Sequence, residues 1–223
     1  MHTLVGSIID STLLRPEATG RDIINLCTQA VSCRFGAVCV NPAWVRLATR
    51  TLAGSGVRRC AVVGFPLGAA TSSTKAFEAR TAVGDGAQEI DMVLNIGALK
   101  GGDLRTVERD IASVARALRG KALLKVILET SLLTREEKIK GCVAAEEAGA
   151  DFVKTSTGFA GGGATVEDVA LMASVLRRPM GVKASGGVKD LAAALKMIAA
   201  GATRIGTSAG PAIIGRTERR GAK

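Results

Sequence analysis

Short apolar runs alternate along the whole chain with longer segments of helical period. The runs fall at 7–10, 36–40, 59–63, 89–93, 123–129, 152–154, 180–183 and 204–206. Each is rich in Val, Ile, Leu or Ala and is closed by small or polar residues, which is how a buried strand of a parallel sheet reads. The intervening segments carry helix start signals. Pro16 and Pro42 suit the first turn of a helix. Asp103 suits an N-cap, Thr134 with Glu137 reads as a capping box, and Thr165 with Asp168 opens another helix. Strand centres recur roughly every 22 to 35 residues, in the range of βα units. Eight such alternations without a linker predict an α/β chain folded as one (β/α)8 TIM barrel over 1–223, with a short basic tail from about 216. A doubly wound open sheet would want G-x-G-x-x-G after an early strand, and none is present.

Composition narrows the partners. The net charge of +10 raises the question of nucleic acid. Much of it, however, is scattered over helix faces and the 216–223 tail, with no basic run interleaved with aromatics for base stacking. A small anionic substrate explains it as well, and no nucleic-acid partner is expected. Five cysteines form no CxxC pair and the single histidine is His2, so no zinc site built from them is expected, and the sequence calls for no cofactor. Scattered cysteines fit reduced thiols in the cytoplasm, and Cys39 reads as a small packing residue. No basic-then-apolar leader and no apolar run near ~20 residues is visible, so a membrane partner is not expected either.

The candidate chemistry lies in two lysines. Lys154 ends the apolar run 152–154 and is followed by small hydroxyl residues and Gly158; Lys183 has the same setting one βα unit later. A buried lysine tends toward the neutral amine, the form that attacks carbonyls, and a second ammonium nearby favours that form further. Asp10, Asp91 and Lys125 also fall on strands near the C-terminal rim, where barrel active sites sit. An ion-pair network with a purely structural role is the competing reading for Asp91 and Lys125. Gly186-Gly187 and Gly206-Thr207-Ser208 follow the seventh and eighth strands, the usual place for a phosphate cradle.

These motifs, IDSTLLRPEAT (9–19), CVNP (39–42), VGFPLGA (63–69), EIDMVLNIG (89–97), KVILET (125–130), DFVKTSTGF (151–159), GVKASGGV (181–188) and RIGTSAG (204–210), resemble the deoxyribose-phosphate aldolase family of class I aldolases. The resemblance implies a metal-free lyase that reversibly cleaves 2-deoxy-D-ribose 5-phosphate to D-glyceraldehyde 3-phosphate and acetaldehyde. It implies that Lys154 forms the Schiff base, Lys183 tunes it, and Asp91 takes part in proton transfer through water. Gly158, Gly186, Gly187, Gly206 and Ser208 would cradle the phosphate, and Asp10 and Lys125 would hold substrate hydroxyls. A homodimer or higher homo-oligomer is compatible with it. One departure stands out: Ser11 occupies a position where the family often has histidine, and the implied relay does not use it. The alternative is a phosphate-binding barrel isomerase or synthase on another sugar phosphate, which would not require both lysines.

Overall fold

A computed structural model describes residues 2–216, so the expected tail lies outside the described residues but for Arg216. Eight strands close in chain order into a barrel: β1 (Ile9–Leu13), β2 (Ala37–Val40), β3 (Arg58–Val63), β4 (Glu89–Val93), β5 (Leu123–Ile127), β6 (Phe152–Lys154), β7 (Gly181–Ser185) and β8 (Arg204–Thr207). Every neighbouring pair is parallel, including β1 with β8. The helices are α1 (His2–Ser7), α2 (Gly20–Cys33), α3 (Val45–Thr51), α4 (Ser72–Gly84), α5 (Ile96–Lys100), α6 (Leu104–Leu118), α7 (Arg135–Glu147), α8 (Val166–Val175), α9 (Leu191–Ala199) and α10 (Gly210–Ile213). This is the single-domain (β/α)8 barrel that the alternation predicts. Among the described residues no helix is long and apolar enough to cross a membrane.

The caps explain where helices begin. Asp103 accepts the Thr106 N–H at 3.0 Å, and Thr134 and Glu137 cap reciprocally, as their spacing predicts. A second capping box, Thr19 with Asp22, starts α2 at Gly20 instead of at Pro16. The strands depart from the reading in three places. β1 continues to Leu13, because residues 11–13 pair with β2, so Asp10 is the second residue of the strand and not its end. β7 continues to Ser185, which puts Lys183 at mid-strand. β5 stops at Ile127, and Glu129 turns into the left-handed region at φ 60°. Helices α1 and α5 are too short to show a period, and neither was expected.

Alternation along the strands separates two cores. Outward residues such as Val38, Ile90, Met92, Val126 and Ala184 pack against Ile23, Ile111, Val114 and Met172 of the helices in one apolar shell. Inward, only a small apolar cluster of Leu14, Cys39, Cys60 and Val62 forms, with Phe65 against it. The interior also holds seven buried charged side chains: Asp10, Glu89, Asp91, Lys125, Lys154, Lys183 and Arg204.

Candidate active site

Asp91, inward on β4, is the hub of that interior. Its Oδ2 accepts from Lys154 Nζ at 2.9 Å and from Lys183 Nζ at 2.7 Å. Its Oδ1 accepts from Lys125 Nζ at 2.8 Å and from the Cys60 thiol at 3.0 Å. Lys183 Nζ also meets Asp10 Oδ2 at 2.5 Å, and Lys125 Nζ meets Glu89 Oε2 at 2.6 Å. Below them Arg204 donates to Asp10 Oδ1 and to both oxygens of Glu89. The two candidate catalytic lysines are paired Cα partners on β6 and β7, so the repeated motif does place both ammoniums at one carboxylate oxygen.

The ion pairs distinguish the three lysines. Four buried cations, with the half-exposed Arg58 reaching Glu89 at 3.2 Å, face three carboxylates, so the cations are in excess. Burial pushes the Lys183 ammonium toward neutrality, but Asp10 and Asp91 outweigh it and hold its pKa well above that of an ordinary lysine. Burial likewise opposes charge on Lys125, and Asp91 and its other anionic neighbours hold its pKa well above the ordinary value. Burial would raise the carboxyls, yet Lys125, Lys154 and Lys183 hold Asp91 well below the usual range, and Lys183 and Arg204 bring Asp10 down to about 2. Lys154 meets a single carboxylate, whereas Lys183 meets two and Lys125 three. Taking a proton from Lys154 therefore breaks one ion pair, fewer than for either other lysine.

Lys154 is also the lysine that reaches open space. It lies on a cavity of about 360 Å³ at the C-terminal ends of the strands. Its side chain is 3% exposed, against 0% for Lys183 and Lys125. Gly158, Gly186, Gly187, Gly206 and Ser208 all line the same cavity, together with Thr157, Phe159, Thr207, Lys189 and Arg15, and no carboxylate does. Asp91, Lys183, Asp10 and Lys125 lie beneath it and do not line it. Thr207 lines it as the cradle motif predicts; Arg15 and Lys189 were missed in the sequence, as were Glu89 and Arg204. Lys189 directly after Gly186-Gly187-Val188, and an arginine at the start of a buried strand, were the available signals.

Two glycines are dictated by close packing. Gly186 has φ +87°, and a Cβ there would lie 2.8 Å from Gly163 Cα, so the loops after β6 and β7 touch backbone to backbone. A Cβ on Gly206 would lie 2.9 Å from Lys183 Cε, so this glycine leaves room for the second lysine. Ser11 is buried on the face of β1 opposite to Asp10 and does not line the cavity.

The fold also brings together a group that spacing did not reveal. Cys39 and Cys60 are paired across β2 and β3, and their sulfurs and an Asp91 oxygen lie within 4.8 Å of one another, a donor set that could hold a metal. Here ammonium groups fill that role: Lys125 Nζ lies 3.4 Å from Cys60 Sγ, and both oxygens of Asp91 are engaged by lysines. All five cysteines are free and buried.

A (β/α)8 barrel with one amine at the floor of an anion-friendly cavity, and a second ammonium beneath it, defines a class: an enzyme that engages a carbonyl through lysine. The chain belongs to the DeoC/LacD family of aldolases, whose profile matches residues 6–216. It is 58% identical to deoxyribose-phosphate aldolase 1 of Bacillus licheniformis, over 96% of each chain. It is 59% identical to deoxyribose-phosphate aldolase of Brevibacillus brevis, over 92% of this chain and 93% of the other. Among solved structures, the tetrameric deoxyribose phosphate aldolase of Aeropyrum pernix superposes with a TM-score of 0.90 at 34% identity, covering 96% of this chain and 91% of that one.

Proposed function

We propose that the protein is a class I deoxyribose-phosphate aldolase, a lyase that reversibly converts 2-deoxy-D-ribose 5-phosphate to D-glyceraldehyde 3-phosphate and acetaldehyde. The observation that carries this reading is Lys154 alone among the paired lysines opening onto a carboxylate-free cavity. Family membership supports the chemistry, and the relatives' names support the substrate.

Lys154 Nζ adds to the C1 aldehyde of the open-chain sugar, and loss of water gives an iminium. The C3 hydroxyl then gives up its proton. The C2–C3 electron pair moves into the iminium, leaving an enamine and releasing D-glyceraldehyde 3-phosphate. Protonation of the enamine carbon and hydrolysis of the new iminium release acetaldehyde and restore the amine. Asp91 Oδ2, shared by Lys154 and Lys183, is the node for this proton traffic through water. Its depressed pKa means that it passes protons on and does not keep them. Lys183 keeps a positive charge beside the nucleophile. Asp10 and Lys125 act from beneath the cavity by holding Lys183 and Asp91 in place. Gly158, Gly186, Gly187, Gly206 and Ser208 receive the phosphate, with Arg15 and Lys189 adding positive charge at the mouth.

No bound cofactor is needed, because the iminium is the electron sink. We place the enzyme in the cytoplasm, in deoxyribose catabolism, and expect a homo-oligomer, as in the tetrameric Aeropyrum pernix relative. The test is cleavage of 2-deoxy-D-ribose 5-phosphate in the presence of EDTA, with both products assayed. Inactivation by borohydride should require the substrate or acetaldehyde. Activity that EDTA abolishes and zinc restores would overturn the reading.

A further inference from the structure

Glu129 is a buried carboxylate that the reaction above does not use. It sits in the left-handed region at φ 60° and ψ 63°, just before the turn Thr130–Leu132. A glutamate adopts that conformation only where its surroundings over-determine it. Its side chain is buried among groups of the β6 exit and forms no ion pair among the described residues. The Thr157 N–H donates to Oε1 at 3.3 Å and to Oε2 at 3.2 Å, and the Thr157 hydroxyl donates to Oε2. Thr157 Oγ1 in turn accepts the Phe159 N–H at 3.0 Å. On either side, the Leu128 N–H donates to the Lys154 carbonyl at 2.9 Å and the Thr130 N–H to the Thr155 carbonyl at 3.0 Å. The end of β5 is thus stitched to the segment that runs from the reactive lysine to the cavity wall.

A desolvated carboxylate is tolerated only when its oxygens are hydrogen-bonded, and here Thr157 supplies those bonds. Thr157 precedes Gly158, whose φ of +87° leaves the loop with little conformational preference of its own. We propose that Glu129 is a positioning residue for phosphate recognition: it anchors Thr157 from behind and fixes the Thr157–Gly158 backbone that faces the anion. The inference rests on the proposed phosphate site at Gly158, Gly186 and Gly187.

The test compares the full-length wild type with Glu129→Gln and Thr157→Val. The readouts are KM and kcat for 2-deoxyribose 5-phosphate and for free 2-deoxyribose, inhibition by inorganic phosphate, and the rate of borohydride trapping with acetaldehyde. A lost charge-assisted hydrogen bond should raise KM for the phosphorylated sugar, and the inhibition constant of phosphate, by about tenfold in Glu129→Gln. The trapping rate, which needs no phosphate contact, should fall far less. Thr157→Val, which keeps the N–H bond, should shift the same quantities in the same direction by less, and it decides the matter if Glu129→Gln does not fold. Equal losses for both sugars and for trapping would reduce Glu129 to a structural residue and overturn the proposal. So would phosphate-dependent quantities that stay at wild-type values while the wild type itself prefers the phosphorylated sugar. A wild type with no such preference and no inhibition by phosphate would instead remove the phosphate site on which the inference stands.

Discussion

The shell between barrel and helices and the interior of the barrel are buried to the same degree and follow opposite rules. In the shell, Ile90, Met92, Val126, Ile111 and Val114 meet through non-directional contacts, so what matters is volume. In the interior, seven charged side chains meet through specific oxygens and nitrogens, so what matters is balance. Buried ion pairs give little net stability, because desolvation offsets most of the Coulomb attraction. The charged interior is therefore better explained by chemistry: it leaves the lysine that faces the cavity with one carboxylate partner, where Lys183 has two and Lys125 three.

Removing the hub should have the largest effect. Asp91→Asn keeps the shape but leaves Lys125, Lys154 and Lys183 short of their shared carboxylate. Loss of one partner of a buried network costs about 3–5 kcal/mol, visible in urea denaturation. Loss of the proton node should lower kcat by about 10³-fold. A variant as stable and active as the wild type would refute the network's role.

Lys183→Leu should cost less stability than Asp91→Asn, because it removes a cation from a network in which cations outnumber carboxylates. Its signature is kinetic. With the neighbouring positive charge gone, the pH profile of acetaldehyde trapping should move to higher pH. An unchanged profile would break the functional pairing of the two lysines.

Acid should act on the interior before the shell. Asp10 falls from 3.8 to about 2 in the folded protein, so its contribution is fully present above about pH 4 and is lost as pH falls toward 2. At just under two pKa units this is about 2 kcal/mol. The lowered Asp91 extends the loss to still lower pH. Lys183, whose pKa is raised, contributes fully below its unfolded value of about 10.5, so mildly alkaline pH should not mirror the acid loss. Urea midpoints between pH 5 and pH 2 check this, and Asp10→Asn should flatten the slope. In the shell, Ile111→Val should cost only about 1 kcal/mol and leave the trapping profile unchanged.

Much of this was legible in the sequence, for reasons particular to each residue. Lys154 and Lys183 stand out because a lysine is a poor occupant of a buried strand, and their matching contexts give the pairing across β6 and β7. The glycine loops are legible from their order along the chain. Glu89 and Arg204 were not, because a charged residue near the start of a strand normally reaches water, and only barrel closure brings them together. Arg15 lies in the loop between β1 and α2, and only the closed barrel shows that this loop borders the cavity. Glu129 looked like the end of a longer strand, since the turn that aims it depends on the β6 exit packed beside it.

The central claim is that its single carboxylate partner and its place on the cavity make Lys154 the reacting amine. It is tested most directly by incubating the wild type with acetaldehyde and borohydride, digesting it, and locating the added ethyl group by mass spectrometry. A single modification at Lys154, with Lys183 and Lys125 unmodified, is the predicted result. Modification at Lys183 or Lys125 in the native enzyme, or turnover without any trapped lysine, would contradict it.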